Sequence, residues 1–330
     1  MKANFLKIRF VVMLYIILSI MFLTHPLLTS EVQAADKVTF RLHWKVSGMH
    51  VPLIVAMDKG FYKDEGIDIS IKEGTGSTVT LKLIGVGEET FGIAGTNVTV
   101  KGIAMEVPVL QIMVLEASKQ QGILSRPEAN INEPKDLIGK TIAGSGSGTS
   151  DIWEAFLDVN KLPKGKVNYL AAGAARLEAV ASGRADGTLG LGMDDISILQ
   201  RMGIKNPKML LFSNFGIPDC GDGVITHLDT VKKNPDMIRR FVRASIRGIN
   251  YTNANIEEAA NIALKHFPMA NKSILLEQLH KTKILYPVPL GWQDPKIVEE
   301  LRDLSAKYEN LPQAKDIPLS KLFTNEFLPK

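Results

Sequence analysis

Strand-like and helix-like segments alternate along the first part of the chain. Residues 38–44 alternate apolar and polar side chains, as in a half-buried strand, and residues 52–59 have helical spacing that stops at Gly60. Residues 67–71 alternate as a second strand, which gives a β-α-β order. The continuous apolar run 107–115 is typical of a strand buried in a parallel sheet. This alternation predicts an α/β fold.

The same pattern restarts in the middle of the chain. Residues 140–143 are predicted to form a strand, residues 144–150 a glycine- and serine-rich loop, and residues 151–159 a helix. Residues 187–191 continue with a strand, and the carboxy-terminal third is rich in helical patterns. The roughly 296 residues that follow position 34 are enough for two domains of ordinary size.

The amino terminus has the pattern of a secretion signal. Three basic residues precede the apolar run 10–23, which is short for a membrane span and is followed by His25 and Pro26. Val32 and Ala34 supply small residues for a cleavage site. Residues 1–34 are therefore predicted to be a signal peptide that directs the chain to the periplasm. An uncleaved amino-terminal anchor is the alternative.

Cysteine content and charge exclude several classes of protein. The only cysteine is Cys220, far from the cleavage point, so the chain is not expected to be a lipoprotein or to hold an intramolecular disulfide. The net charge is only +4, and basic residues are scattered among acidic ones. This balance predicts no nucleic-acid partner.

No catalytic constellation is recognisable. The six histidines lack the His-Glu-x-x-His spacing of a zinc site, and residues 144–148 do not match the Gly-x-Ser-x-Gly motif of a hydrolase. The carboxylate pairs 88–89 and 194–195 are sequence neighbours, which do not aim at one point on a helix or strand. We therefore expect no catalytic residues, no metal and no cofactor, and a protein that is not an enzyme.

Several segments, in the same order, resemble the periplasmic solute-binding proteins of ABC importers in the sulfonate, nitrate and thiamine-pyrimidine group. They are LHWKVSGMHVPLIVAMDKGFYKDEGIDISI (42–71), EETFGIAGTN (88–97), INEPKDLIGKTIAGSGSG (131–148), LEAVASGRADGTLG (177–190), the segment 215–251 and LFTNEFL (322–328). The resemblance covers essentially the whole chain after the signal.

This resemblance implies the two-lobed periplasmic binding protein fold of type II, in which each lobe is a mostly parallel sheet flanked by helices. Lobe I would comprise residues 35–118 and 221–330, and lobe II residues 119–220. A small solute would bind in the cleft between the lobes, which closes by a hinge motion. The protein would act as a monomer with an ABC permease and its ATPase as partners.

The candidate ligand-binding residues follow predicted strands or lie at the crossing between lobes. They are Trp44, Ser47, His50, Ser77, Thr96, Asn97 and Asp222 in lobe I, and Ser147, Thr149, Ser150 and Asp194 in lobe II. Trp44 would stack on a ring at the cleft mouth, or else lie in the core under its loop. His50 would donate to the ligand, or else cap its helix or lie exposed.

Two ligand classes stay open. Trp44 and Asp194 favour a nitrogen heterocycle such as a thiamine-precursor pyrimidine, because the pyrimidine-binding branch presents a carboxylate at the place of Asp194. The amides of the loop 144–150, at a helix start, favour a sulfonate, nitrate or aromatic carboxylate anion. A sensory binding protein is a further alternative. The fungal thiamine-pyrimidine synthases share the fold, but the signal peptide and lone Cys220 argue against that function.

Overall fold

The computed structural model describes residues 34–118, 120–144, 149–163 and 165–330, without the side chains of residues 149–151, 193 and 194. The strands are β1 (Asp36–Arg41), β2 (Ile67–Lys72), β3 (Phe91–Gly95), β4 (Val109–Val114), β5 (Gln121–Ser125), β6 (Thr141–Gly144), β7 (Asn168–Ala171), β8 (Gly187–Leu191), β9 (Lys208–Leu211) and β10 (Asp222–His227). The α-helices are α1 (Val51–Asp58), α2 (Phe61–Asp64), α3 (Ser77–Gly85), α4 (Thr96–Ala104), α5 (Thr149–Val159), α6 (Arg176–Ala181), α7 (Gly192–Arg201), α8 (Leu228–Lys233), α9 (Pro235–Ala254), α10 (Ile256–His266), α11 (Lys272–Thr282) and α12 (Pro295–Tyr308).

The first sheet, sheet A, has the strand order β2-β1-β3-β10-β4. Strands β1, β2 and β3 pair in parallel, and β10 is antiparallel to both of its neighbours. Strand β4 lies at the edge, yet all six of its residues are buried. Bridges from Gln111 to Phe323 and from Val114 to Gly291 show that carboxy-terminal segments cover this edge. A covered edge explains why an edge strand can be a continuous apolar run.

The second sheet, sheet B, repeats this plan with the order β7-β6-β8-β5-β9. Strands β6, β7 and β8 pair in parallel, and β5 is antiparallel to β8 and β9. In each sheet the antiparallel strand is the first one that the chain enters after leaving the other sheet. The predicted α/β class with two lobes, each a mostly parallel sheet flanked by helices, is therefore confirmed.

Aromatic stacking holds helix α9 on sheet A. The helix begins with Pro235, which suits the first helical position, and its buried face includes Phe241. The ring of Phe241 stacks on Phe91 of β3 at 4.2 Å, on Tyr62 at 5.4 Å and on Phe40 of β1 at 5.8 Å between centroids. These contacts fix the strands that lead to the candidate site.

The chain passes between the sheets at two places. Strand β4 of sheet A ends at Val114 and β5 of sheet B begins at Gln121, and the return leads from β9 to Asp222 at the start of β10. The predicted lobe boundaries, between residues 118 and 119 and between 220 and 221, fall in these connections and stay a prediction. In the part of the chain that the structure describes, no helix is long and apolar enough to cross a membrane.

Strand β1 is shorter than predicted. The alternation of residues 38–44 suggested a strand to Trp44, whereas β1 ends at Arg41. The loop after β2 lies against the residues that follow β1. A Cβ added at Gly74 would lie only 1.9 Å from the carbonyl oxygen of Leu42. The Gly74 N–H also donates to the carbonyl oxygen of Trp44, at 3.3 Å. This contact holds residues 42–44 in a turn at the strand end.

Candidate ligand-binding site

Several strands of sheet A end or begin on the same side of the candidate site. Strands β1 and β3 end there, and β10, which runs the opposite way, begins there with Asp222 paired to Gly95, the last residue of β3. Gly223 pairs with Val114, the last residue of β4. Open α/β sheets bind ligands at the carboxyl ends of their parallel strands. The register therefore places the Asp222 backbone at the position where a ligand is expected.

The loop after β1 projects a large apolar ring. Trp44 is 57% exposed, so it is not the core tryptophan of the alternative prediction. Lys45 Nζ and the Val46 N–H both bind the carboxylate of Glu73, at 2.8 and 2.9 Å, which ties this loop to the loop after β2. An exposed indole on an anchored loop can cover a flat ligand.

A row of polar contacts runs from the loop to the start of β10. The Ser47 N–H donates to Nδ1 of His50 at 3.0 Å, and Nε2 of His50 lies 3.2 Å from Nδ1 of His43. Nε2 of His43 in turn lies 3.8 Å from Oδ2 of Asp222. His50 is fully buried and Asp222 is 2% exposed, whereas the His43 side chain is 17% exposed. His43 is thus the more accessible of the two histidines in this polar row.

The electrostatics of this row keep His50 neutral. Burial lowers the pKa of His50 well below its usual range, and the neighbouring His43 lowers it further, whereas the carboxylate of Asp222 opposes the shift. His50 is neither exposed nor in the expected position to touch a ligand directly, because its two ring nitrogens face Ser47 and His43. The residue that sequence analysis missed is His43. Its signal was a histidine directly before Trp44, at the end of a strand.

We expect the stability of the protein to fall below about pH 6.5, the ordinary histidine value. The unfolded chain takes up a proton there, while buried His50 does not until the pH reaches its lowered folded-state pKa. The loss has a slope of up to about 1.4 kcal/mol per pH unit. Urea unfolding at pH 7.5 and 5.5 should show a smaller pH difference for His50→Gln than for the wild type. An identical pH difference in both proteins would contradict the assignment.

Two of the predicted hydroxyl groups support the backbone. The Oγ1 of Thr96 donates to the carbonyl oxygen of Gly221 at 3.1 Å, and the Oγ of Ser77 accepts the N–H of Gly95 at 3.2 Å. Thr96 is buried, while Asn97 and Ser77 are half-buried at the starts of α4 and α3. Thr96 and Ser77 thus join the strand ends of sheet A to each other and to the return crossing.

The predicted residues of sheet B are only partly described. Ser147 lies outside the described residues. Thr149 and Ser150 are the first residues of α5, and Asp194 lies in α7, but their side chains are outside the description. The adjacent Asp195 is buried and accepts from Arg176 Nη2 at 2.8 Å and from the Leu191 N–H at 2.7 Å, which stabilises the turn from β8 into α7. Among the described residues, no group of histidine, cysteine and carboxylate side chains could hold a metal ion.

Helix α11 contacts both sides of the site. Gln278 Oε1 accepts the N–H of Gly48 at 2.8 Å, in the turn that carries His50. One turn of helix away, Lys281 Nζ donates to the Oγ of Ser197 on α7 at 2.6 Å, and Ser197 also donates to Glu277. The helix therefore couples the loop after β1 of sheet A to the helix after β8 of sheet B.

Comparison with known proteins places this architecture in a family. Residues 47–259 match the family described as NMT1/THI5 like. The chain is 23% identical over 290 residues to the formylaminopyrimidine-binding protein of Halalkalibacterium halodurans, covering 82% of this chain and 85% of that protein. In structure it is similar to the alkanesulfonate-binding protein SsuA from Xanthomonas axonopodis pv. citri, with a TM-score of 0.66, 15% identity and coverage of 88% and 100%.

A further relative corrects the prediction that the chain is not an enzyme. The 4-amino-5-hydroxymethyl-2-methylpyrimidine phosphate synthase THI13 of Saccharomyces cerevisiae is 25% identical over 279 residues, or 79% of this chain and 81% of that protein. The prediction was wrong because it relied on missing motifs, which exclude only the chemistries that they encode, and on the predicted signal peptide and lone Cys220, which do not exclude catalysis. The match over residues 47–259 and the similarity along most of the length of these relatives show that the chain belongs to the NMT1/THI5-like family.

Proposed function

We propose that this protein is the extracytoplasmic substrate-binding subunit of an ABC importer and that it captures a thiamine-precursor pyrimidine or a related nitrogen heterocycle. The observation that carries the proposal is the buried carboxylate of Asp222 beside His43, at the edge where the strands of sheet A end. A buried carboxylate is suited to accept hydrogen bonds from an N–H donor and is unsuited to a sulfonate or nitrate anion.

The relatives support the same ligand class. One is named for binding formylaminopyrimidine and another for making a pyrimidine phosphate. A binding protein and a synthase of one family both have to hold a pyrimidine ring, so capture of the ring is the step that they share. The likeness to the alkanesulfonate-binding protein, at 15% identity, concerns the fold and does not decide the ligand.

Capture would follow from closure of the cleft. A ligand that touches both lobes favours the closed arrangement by its extra affinity for that state. Helix α11, which binds Gly48 on one side and Ser197 on the other, would hold the lobes in this arrangement. The closed form would then dock on the permease. A permease and ATPase gene pair beside the gene for this chain supports the importer, and a receptor gene in their place supports the sensory alternative.

The proposed ligand class is tested by thermal unfolding against a panel. The panel contains formylaminopyrimidine, 4-amino-5-hydroxymethyl-2-methylpyrimidine, an alkanesulfonate and nitrate. A ligand at 100 times its Kd stabilises the folded protein by about 2.7 kcal/mol, which corresponds to a rise in Tm of roughly 5 °C or more for a chain of this size. We expect a pyrimidine to give this rise. Stabilisation by the alkanesulfonate or nitrate, with none by either pyrimidine, would overturn the proposal.

Replacement of Trp44 should weaken a pyrimidine far more than an anion. Stacking of a planar base on an aromatic side chain contributes about 1–3 kcal/mol, or roughly 5- to 150-fold in Kd. We therefore expect Trp44→Ala to raise the Kd of the pyrimidine by that factor in calorimetric titration. Val86→Ala is the matched control, since Val86 is 72% exposed and lies near Asp36, where β1 begins, at the end of sheet A away from the candidate site. Equal effects of the two variants would show that Trp44 does not contact the ring.

A further inference from the structure

We infer that Glu277 of helix α11 is the centre of a polar latch between the part of the chain built on sheet A and the part built on sheet B, and that helix α12 is the apolar pivot about which these parts separate. The latch consists of Glu277 and Lys281 of α11 and of Ser197 and Arg201 of α7. Glu277 would then be a positioning residue that sets the ligand affinity through closure of the cleft. The inference rests on the proposed function in this last respect, because it takes the cleft to be where the ligand binds.

The two helices of the latch are anchored in different parts of the molecule. Leu279 of α11 is buried in an apolar cluster with residues of α1 and α10, and α1 packs through Leu53 into the core of sheet A. Leu199 of α7 is buried in a cluster with Leu124 of β5 and Ala143 of β6, in sheet B. Each helix is therefore fixed to its own sheet, and a contact between the two helices joins the two parts.

The carboxylate of Glu277 accepts hydrogen bonds from both parts. On its own helix, Lys281 Nζ donates to Oε1 at 2.7 Å. From α7, the Oγ of Ser197 donates to the same oxygen, and Arg201 Nη2 lies 3.1 Å from Oε2. Lys281 Nζ also donates to the Oγ of Ser197 at 2.6 Å. One carboxylate thus joins a cation on its own helix to a hydroxyl and a second cation on the opposite helix.

The electrostatics favour a latch that can open. Burial raises the pKa of Glu277, but the hydrogen bonds from Lys281 and Ser197 and the charges of Lys281 and Arg201 outweigh it. The pKa therefore lies below its usual range, and the carboxylate is ionised at neutral pH. The side chains of Glu277, Lys281 and Arg201 are between 31% and 44% exposed. Because water can replace the partners of such partly exposed groups, the contacts between the helices can break at a modest cost in free energy.

Helix α12 joins the same two parts by apolar contacts. Leu301 is buried in a cluster with Val100 of α4, the helix that follows β3 of sheet A. Leu304, one turn further along, is buried in a cluster with Phe156 of α5, the helix that follows β6 of sheet B. Separation at α12 would expose this apolar surface to water, and the cost grows with the exposed area. The two parts therefore stay together at α12 and separate at the polar latch.

Opening of the latch is linked to the affinity for a ligand in the cleft. Next to Glu277 on α11, Gln278 accepts the N–H of Gly48 and so supports the loop that carries Trp44. A ligand that contacts both parts binds to the closed arrangement, so its apparent Kd is the intrinsic Kd divided by the closed fraction. Loss of the latch lowers this fraction, and the partial exposure of the latch limits the effect. We expect Glu277→Gln to raise the Kd by roughly 3- to 10-fold.

The test measures the distance across the latch in the protein without ligand. Spin labels are attached at Met269→Cys, before α11, and at Lys205→Cys, after α7, because both positions are exposed. The native Cys220 is buried, which directs labelling to the introduced residues. Double electron–electron resonance should show longer distances in Glu277→Gln and in Arg201→Gln than in the otherwise wild-type protein. Calorimetry with 4-amino-5-hydroxymethyl-2-methylpyrimidine should show the expected rise in Kd for both variants.

Glu257→Gln is the matched control for the latch. It removes the same charge from an ion pair with Lys272 at 3.5 Å, and both residues lie on α10 and α11, in the part built on sheet A. Its distances and its Kd should equal those of the wild type. Unchanged distances in both Glu277→Gln and Arg201→Gln, or an equal shift in Glu257→Gln, would overturn the inference whatever the ligand is. The expected shifts in a protein that binds no pyrimidine would support the latch and overturn the proposed function alone.

Discussion

Replacement of Gly221 by alanine should strongly destabilise the protein. A Cβ at this position would lie 1.4 Å from the carbonyl oxygen of Glu116, in the other connection between the sheets. The backbone at Glu116 cannot move aside to relieve this clash as a flexible side chain could. The backbone of Gly221 is also fixed, because its carbonyl oxygen accepts hydrogen bonds from the N–H and the hydroxyl of Thr96. We expect the free energy of unfolding to fall by at least about 3 kcal/mol.

Gly139→Ala provides the control for this prediction. Gly139 has a φ of +79° and no neighbour within 4 Å of an added Cβ, so the substitution carries conformational strain without a clash. That strain costs about 1 kcal/mol. Urea unfolding of the two variants measures the difference. If Gly221→Ala were no less stable than Gly139→Ala, the two connections between the sheets would not pass as close together at Gly221 and Glu116 as described.

Phe241→Ala should cause the second large loss of stability. The ring of Phe241 is fully buried between Phe91, Tyr62 and Phe40, so its removal leaves a cavity that the two strands and the helix cannot fill. Truncation of a buried phenylalanine typically lowers the free energy of unfolding by about 3–5 kcal/mol. Because β1 and β3 end at the candidate site, the variant should also bind its ligand more weakly at temperatures near its lowered Tm.

Met269→Ala is the matched control on the surface. Met269 is 97% exposed, so its truncation should change the free energy of unfolding by less than about 0.5 kcal/mol. Both variants are compared with the wild type by urea unfolding followed by circular dichroism. A loss below about 1 kcal/mol for Phe241→Ala would mean that α9 is not anchored on sheet A by this ring.

Most of the architecture could be predicted from the sequence because local patterns reflect burial. The helix over 52–59 and the strands over 67–71 and 187–191 match α1, β2 and β8 within one residue. The end of β1 could not be predicted in this way. It depends on the contact between Gly74 and Leu42, which are far apart in sequence. The alternation of apolar and polar side chains does not reflect such a contact.

The site was less accessible to prediction than the fold. Asp222 and Trp44 were identified from their positions next to strands and crossings, and the structure brings Asp222 to the strand ends. His43 was missed because alternation assigned it to a polar position within a strand. His50 was expected to donate to the ligand, to cap its helix or to lie exposed; in the folded arrangement it is buried, its ring accepts the Ser47 N–H at the start of the turn Gly48–His50, and it faces His43. The roles of such residues depend on contacts between segments that are distant in sequence, which a local sequence pattern does not reveal.

A crystal structure of the protein with 4-amino-5-hydroxymethyl-2-methylpyrimidine tests the central claim most directly. We expect the ring to lie against the indole of Trp44, with one of its N–H groups at hydrogen-bond distance from the carboxylate of Asp222. A pyrimidine bound away from Asp222, or a site at Asp222 that takes up an alkanesulfonate and excludes the pyrimidine, would contradict it.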